Sequence, residues 1–547
     1  MNENLELVKK TYENKEYFDC MSILKEKLSD SSEYYYYLGL CQKDLGNIQD
    51  AQNSFEKSFF LDSSNKNSSN ALGNIHYNKN EYKECLNYFL NTIKLDPNNV
   101  VANSYVGNAL VGMGRLLEGK SHLLVALEHE KDPKFQAILL TNLGNCVARL
   151  DNIEDSIVYF EKAISLFPEG VSSFTTSVGL DVHTISLYLL YYNLALSYER
   201  LKLSGVIDHK KAIGFLEKAL SYENLAYQNG LNPYDAHLEL SLNQLTVGNF
   251  KDGWKEFENR WHTDRLFKVF EKHLAIGDGN FEGKDVLVYA EQGFGDSIQF
   301  VRYLKLLKQR NPKRIIVVAH KPLVKLFSTM PEVDEIVASG ESHSLFDYNI
   351  PELSFPFVFN TDVDTIPCEI PYFNIKQEDI DYWGSKLPKG FKIGICWSGD
   401  PKSHLTDYIR IENEKRNIAL EQIDSLLKIP NVNIISLQKE DRKNELVNYP
   451  NVINIMNEVN DYYDTAAIIS NLDLIVTVDT SVAHVAGSLG KKVFMLSRWR
   501  GCWRWGTKEL CLAKKWYPTV EIYRETEYNN WNPIINALTD DVKKIIP

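Results

Sequence analysis

Nowhere in these 547 residues is there an apolar run near the roughly 18 residues that a membrane-crossing helix requires, so no membrane span is expected. No C-x-x-C pair occurs among the eight cysteines, and no cysteine–histidine grouping has zinc-ligand spacing. Neither a structural metal site nor a disulfide framework is expected, and scattered reduced thiols fit a cytoplasmic location. An excess of basic charge is missing too. Against 73 Asp and Glu stand 60 Lys and Arg, a net charge of −13, which argues against general nucleic-acid binding. The opening segment, MNENLELVKKTYENKEY, is polar and lacks the apolar core of a secretory signal. What remains is an ordinary globular composition, 44% hydrophobic and 24% charged. The chain is too long for one core, and about two to four domains are expected.

The first half carries a period. Gly39, Gly73 and Gly107 stand 34 residues apart, and Gly144 follows after 37. Twelve residues beyond each come Ala51, Cys85, Gly119 and Ser156, then Phe55, Phe89, Leu123 and Phe160, then Ser58, Thr92, Ala126 and Ala163. Small residues at this spacing let two antiparallel helices cross closely, and the large residue fills the seam between them. The pattern resembles the tetratricopeptide repeat. Two looser units follow, around Ala195, Ala212, Leu216 and Ala219, and around Ser241, Gly253 and Phe257; a helix pair over 5–28 caps the array. The stretch 169–184 breaks the period and reads as a loop. An α-helical solenoid over 1–265 is expected, ending in GWKEFENRW. Packing explains the periodic residues by itself, so binding belongs to polar and aromatic residues on the concave face, with Tyr34–Tyr37 among the candidates. Such a groove suits a protein or peptide partner.

From residue 284 the pattern changes to strands alternating with helices. Strands are predicted at 286–289, 315–319, 335–337 and 347–353, then at 392–397, 433–437, 474–477 and 492–495, which implies parallel α/β sheets in two lobes, 282–385 and 386–547. The first lobe opens with a strand followed by AEQGFGDSIQFVRY over 290–303. Gln292, Gly293 and Gly295 form its turn, and Asp296 stands where that turn enters a helix. Glycines allow close backbone approach to a ligand, and helix starts attract anions, although capping alone also explains an aspartate there. In the second lobe, GICWSGDPKSH places Ser398 and Gly399, with His404 further on, just beyond a strand. SLQKE places Gln438 and Lys439 at another strand end. VDTSVAHVAGSLG puts Asp479, Thr480, Ser481 and His484 at the start of a helix, where free N–H groups suit a diphosphate without a metal.

Together these motifs, with WRW and WYP near the C-terminus, look like the C-terminal domain of tetratricopeptide-containing glycosyltransferases, similar to the heptosyltransferases of glycosyltransferase family 9. The resemblance implies a GT-B fold of two Rossmann-like lobes and inverting, metal-independent transfer from a nucleotide-sugar. It implies Asp296 as catalytic base, donor contacts at Asp479, Thr480 and His484, and small residues Ser398 and Gly399 beside them. Arg416 resembles the arginine of an Arg-Ser-Ile element in relatives, here with Asn417 in place of the serine and an insertion over 408–415. No cofactor beyond the donor substrate is implied. Repeat-bearing relatives point to a protein serine or threonine as acceptor. The alternatives are a lipopolysaccharide or other glycan acceptor, or an inert scaffold.

Overall fold

The computed structural model describes residues 2–27, 30–178, 181–201, 205–263, 279–400, 414–439, 442–527 and 530–547. It forms two compact units: Met1–Tyr198 with Gly214–Pro233, and Glu199–Ile213 with Tyr234–Pro547. Among the described residues no helix is long and apolar enough to cross a membrane.

The first unit is a stack of helix pairs: α1 (Asn2–Glu13) with α2 (Tyr17–Lys27), α3 (Ser32–Asp44) with α4 (Ile48–Leu61), α5 (Lys66–Asn78) with α6 (Tyr82–Leu95), α7 (Val100–Gly112) with α8 (Leu116–His129), and α9 (Pro133–Arg149) with α10 (Ile153–Ser165). Polar residues start the first helix of several pairs. Ser31 accepts from the Tyr34 N–H, Asn65 from Asn67 and Ser68, Asn99 from Ala102, and Asp132 from Lys134. The period is a packing rule. A β-carbon at Gly39 would lie 2.7 Å from the Phe55 ring, at Gly73 2.5 Å from Phe89, at Gly107 2.7 Å from Leu123, and at Gly144 2.6 Å from Phe160. Each glycine on a first helix thus makes room for the large residue sixteen positions on.

The stretch 169–184, expected to be a loop, contains an antiparallel hairpin instead. Strand β1 (Ser173–Val178) pairs with β2 (Asp181–Ser186), in register from Ser173 opposite Ser186 to Val178 opposite Asp181. SFTTSV and DVHTIS are rich in threonine and branched residues that favour extended backbone, a preference that the broken helical period hides. The helices α11 (Leu187–Glu199), α12 (Val206–Leu220) and α13 (Glu223–Gln228) follow; α12 straddles the division between the units.

The second unit begins earlier than the repeat period suggests. Helices α14 (Tyr234–Thr246) and α15 (Phe250–Phe257) continue the paired-helix pattern, yet they belong with the sheets. Trp254 explains this: its ring meets Phe257, Phe300 and Trp503 edge-on at centroid distances of 5.8, 6.1 and 5.2 Å. Beyond it, Arg260 is fully buried. It forks onto Glu291 through two 3.0 Å bonds and also donates to Glu258 at 2.8 Å and Ser354 at 2.7 Å. The GW…RW element is therefore a buried anchor of the α/β core.

Two parallel sheets follow. The first has four strands in the order β5 (Glu335–Ala338), β4 (Arg314–Ala319), β3 (Asp285–Tyr289), β6 (Tyr348–Pro351). The second has six, in the order β12 (Val520–Arg524), β11 (Val493–Ser497), β10 (Leu474–Val478), β7 (Phe391–Cys396), β8 (Val432–Ser436), β9 (Ile453–Asn454). Each predicted strand overlaps one of these, with ends that differ by a residue or two, as at 347–353 for β6; β9 and β12 are additions. In each sheet the chain starts in the middle and winds outward both ways. Reversals of strand order therefore lie between β3 and β6 and between β7 and β10, and ligands of parallel α/β sheets bind at the carboxyl ends of strands at such reversals.

Replacing Gly73 with alanine tests the packing rule. The added methyl group meets Phe89, which is fully buried and stacked on Tyr105 at 4.9 Å, so it cannot be accommodated by a side-chain swing. Overpacking of this kind costs about 1–3 kcal/mol, against roughly 1 kcal/mol gained from helix propensity. Gly214, on α12, has nothing within 4 Å of the same position. Thermal melts followed by circular dichroism should show Gly73→Ala destabilised and Gly214→Ala unchanged or stabilised.

Candidate functional site

Both reversals carry residues able to serve a site, most of them from the motifs. Gly293 and Asp296 follow β3, and Glu352 follows β6. Ser398 and Gly399 follow β7, while Asp479, Thr480 and Ser481 follow β10. The helix Phe294–Phe300 packs against the helix Ser481–Ser488, so the two strand-end clusters adjoin. The approach is tight at Gly295, where a β-carbon would lie 2.9 Å from the His484 ring and 3.7 Å from the Ser481 Cα. Only glycine fits that approach.

Asp296 caps its helix and also faces the second sheet. Its Oδ2 accepts the Gly293 N–H at 3.0 Å, and its Oδ1 accepts from the Arg504 guanidinium. Arg504 further donates from Nε to Gln299 Oε1 at 2.7 Å and from Nη1 to Cys502 Sγ at 3.0 Å, and lies over the Trp503 ring at 4.4 Å. The neighbouring Asp296 and Asp479 carboxylates and Cys502 help to keep Arg504 charged despite its burial. Asp296 is thus a carboxylate in a fixed orientation, with its side chain 18% exposed. Arg504 and Asp296 are 208 positions apart, and sequence reading marked only the WRW motif around the arginine.

His484 lies inside this seam. It is buried, its Nδ1 is 3.0 Å from the Tyr517 hydroxyl, and its ring stacks on Trp505 at 5.4 Å. Burial pushes it well below the usual histidine range, and Arg504 and Arg302 add to this, so its ring is neutral. It packs the seam at Gly295 and contributes no charge to a phosphate. Ser481 Oγ lies 2.7 Å from the Tyr462 hydroxyl, and Tyr462 in turn meets Phe294 edge-on at 5.4 Å, a second link across the seam. Burial raises Tyr462 to about 12, so its hydroxyl keeps its proton. Thr480 Oγ1 is 3.1 Å from Thr477 Oγ1, and Asp479 remains partly exposed.

Gln438 faces the loop after β7. It is buried and spent on the backbone: its Oε1 accepts from the Trp397 and Ser398 N–H groups at 3.2 and 3.1 Å, and its Nε2 donates to the Ser398 carbonyl at 2.9 Å. It shapes the loop after β7. Lys439 is exposed, with Nζ donating to the Val459 carbonyl at 2.8 Å. Asn417 holds the same loop from the other side, accepting the Gly399 N–H at 2.9 Å, and Arg416 donates to the Asp400 carbonyl at 3.1 Å. Gln292 uses its carbonyl to accept from His320 Nε2 at 2.7 Å. His404 lies outside the described residues.

Glu352 went unseen in the sequence. Its side chain is buried and accepts from Ser297 Oγ at 2.6 Å. Burial pushes it well above the usual carboxylate range, and the Glu291 and Asp296 carboxylates add to this. A carboxyl held toward its protonated form thus stands behind the helix that carries Asp296.

With this geometry in place, comparison with known proteins is informative. A family profile for the tetratricopeptide repeat matches residues 32–65, 67–99 and 137–169. Those segments are tetratricopeptide repeats. Over its length the chain is similar to protein FlbA of Caulobacter vibrioides (strain ATCC 19089 / CIP 103742 / CB 15), at 21% identity over 541 residues, covering 92% of this chain and 83% of that protein. Among solved structures it is similar to MamA (41-end) from Desulfovibrio magneticus RS-1, at 21% identity and a TM-score of 0.27, covering 30% of this chain and 93% of that one. It is also similar to the C-terminal part of a TPR repeat-containing protein from Cytophaga hutchinsonii, at 14% identity and a TM-score of 0.35, covering 48% and 96%. The repeats make protein partners the expected ligands of the first unit.

Glu352 gives this site a pH signature. Its folded value is raised above an unfolded value near 4.3, so the folded chain holds a proton that the unfolded chain releases. Its contribution to stability is present below about pH 4.3 and is lost as pH rises toward the folded value. Glu352→Gln retains an acceptor for Ser297 and removes the titration. All nine tryptophans lie at Trp254 or beyond, so their fluorescence follows the second unit alone. In urea unfolding read this way, wild type should lose stability relative to Glu352→Gln as pH rises from about 4.5 to 7, at up to about 1.4 kcal/mol per pH unit. Parallel pH profiles would contradict the assignment.

Proposed function

We propose that the second unit is an inverting, metal-independent glycosyltransferase of the GT-B type, taking its sugar from a nucleotide-sugar and delivering it to a protein serine or threonine hydroxyl. The repeat array recruits the acceptor. One observation carries this reading: the reversal points of two parallel sheets adjoin, with an oriented carboxylate, Asp296, on one side and the start of the helix Ser481–Ser488 on the other. Full-length similarity to FlbA and the repeats are compatible with it.

In this reading Asp296 takes the proton of the acceptor hydroxyl as its oxygen attacks the anomeric carbon. Among the described residues each carboxylate oxygen accepts one bond and retains a second lone pair, so the Arg504 contact orients the base without consuming it. The bond from the anomeric carbon to the diphosphate breaks, and the leaving charge develops beside the backbone N–H groups of Thr480 and Ser481, where a helix N-terminus stabilises anions. Ser398 and Gly399, held by Gln438 and Asn417, offer a small-residue wall next to it. Arg504 supplies positive charge at the seam that His484 does not.

General-base assistance contributes roughly 10²–10⁴-fold, so Asp296→Asn should lose transfer by that order while still being stabilised thermally by the nucleotide that stabilises wild type. Undiminished turnover in that variant would contradict the base assignment. Incubation with labelled nucleotide-sugars, followed by separation of protein and glycolipid, should place label in protein; label in glycolipid alone would replace the protein acceptor with a glycan one.

A further inference from the structure

The β1–β2 hairpin lies on the repeat array. Helices α5, α7 and α9, the first helices of successive pairs, pack on one another and form one wall of the stack. The Asp181 carboxylate is held by that wall: Asn74 Nδ2 donates to Oδ2 at 2.5 Å, the Tyr105 hydroxyl to the same oxygen at 2.6 Å, and Asn78 Nδ2 to Oδ1 at 3.2 Å. Asn74 and Asn78 come from α5, and Tyr105 from α7. Further along, Thr176 donates to Asp132 Oδ2 at 3.2 Å, and Val178, 2% exposed, joins the core cluster of Tyr105, Phe135 and Leu139. An extended segment with one carboxylate and one apolar side chain therefore sits across two repeats, as a bound peptide would.

Three further facts mark this as an occupied site rather than ordinary core. The donors to Asp181 just named are all neutral, two amides and a phenol, which suits a carboxylate that exchanges better than an ion pair would. Asn74 is 2% exposed, and among the described residues its buried Oδ1 has no hydrogen-bond partner, so the described strands do not fully satisfy the pocket. Asn74 and Asn78 lie outside the small and large positions that set the repeat period, and Tyr105, whose ring stacks on Phe89, turns its hydroxyl to the same carboxylate.

We propose that the hairpin is an internal ligand of the array, and that it occludes a site for an acidic extended segment of a partner protein. The incoming segment exchanges its own aspartate or glutamate for Asp181 on Asn74, Asn78 and Tyr105, and its apolar residue for Val178. Because one carboxylate replaces another on the same donors, the exchange is nearly balanced, and the tethered hairpin keeps the site closed to weakly matching partners. The inference stands whether or not the second unit transfers a sugar, since its test reads binding.

The probe is a fluorescein-labelled peptide with the chain's own sequence over 171–186, VSSFTTSVGLDVHTIS, added to the full-length protein and followed by anisotropy. Asp181→Asn weakens the internal contact and should bind the peptide at least about tenfold more tightly than wild type. Asp181→Glu, which keeps a carboxylate, should show little gain, adding Asn74→Ala to Asp181→Asn should abolish the gain, and a peptide with asparagine for its aspartate should bind neither protein. Equal binding by wild type and Asp181→Asn, or a gain that survives Asn74→Ala, would overturn the proposal. A second measurement guards against a folding defect. In otherwise unaltered protein, Tyr105→Phe should speed amide exchange of β1 and β2 by about tenfold, and unchanged protection there would also overturn it.

Discussion

The second unit depends on a close approach that only a glycine permits. At Gly295 the helix after the first sheet's central strand comes within van der Waals reach of Ser481 and His484, the helix start after β10. Nothing larger fits, because His484 cannot retreat: Tyr517 and Trp505 fix it from the far side. A charged imidazole would be costly in that position, and burial keeps it neutral. The seam is therefore closed by packing, and charge is supplied next to it by Arg504, which reaches Asp296 from the opposite sheet's C-terminal loop.

Two buried arginines carry the strain of holding these parts together. Arg260 joins α15 to the first sheet through Glu291, Glu258 and Ser354, with no exposure of either Arg260 or Glu291. Arg302 joins the helix after β3 to the second sheet's surroundings by a different device. It donates to the carbonyls of Trp516 at 2.7 Å and Pro367 at 3.1 Å, and lies over the Tyr517 ring at 4.5 Å. Breaking a buried arginine network by removing one partner leaves uncompensated charge and is strongly destabilising, typically about 3–5 kcal/mol. That argues for Arg260 as a determinant of how α15 sits on the first sheet, and for Arg302 as one that ties the helix after β3 to the second sheet. One core cluster runs through both, from Leu238 and Trp254 to Ala483, Trp505 and Tyr517.

Much of this architecture was legible in the sequence, for physical reasons that differ from part to part. The repeat period was visible because the Gly39–Phe55, Gly73–Phe89 and Gly144–Phe160 contacts fix two residue types at one spacing. Central strands such as β3, β7 and β10 were visible because burial on both faces demands continuous apolar runs. The short β9 and the more exposed β12 lack that demand. The hairpin was read as a loop because its signal is alternation over six residues a side, too short to stand out against helices. At the site, strand-end motifs located Asp296 and the residues 479–481, since topology brings such ends together. What spacing could not reveal was direction. Gln438 turns inward to the Ser398 backbone, His484 is walled in by aromatics, Arg504 reaches Asp296 from a motif that gave no sign of that partner, and Glu352 reaches the site from a segment with no local motif.

The most direct test of the account is calorimetric titration of the full-length protein with UDP, GDP and ADP, alongside Gly295→Val. The account predicts that one of these nucleoside diphosphates binds the wild-type protein at one site per chain, and that a valine side chain driven into Ser481 and His484 weakens that binding by about tenfold or more. Absence of binding heat with all three, or affinity unchanged by the valine, would contradict it.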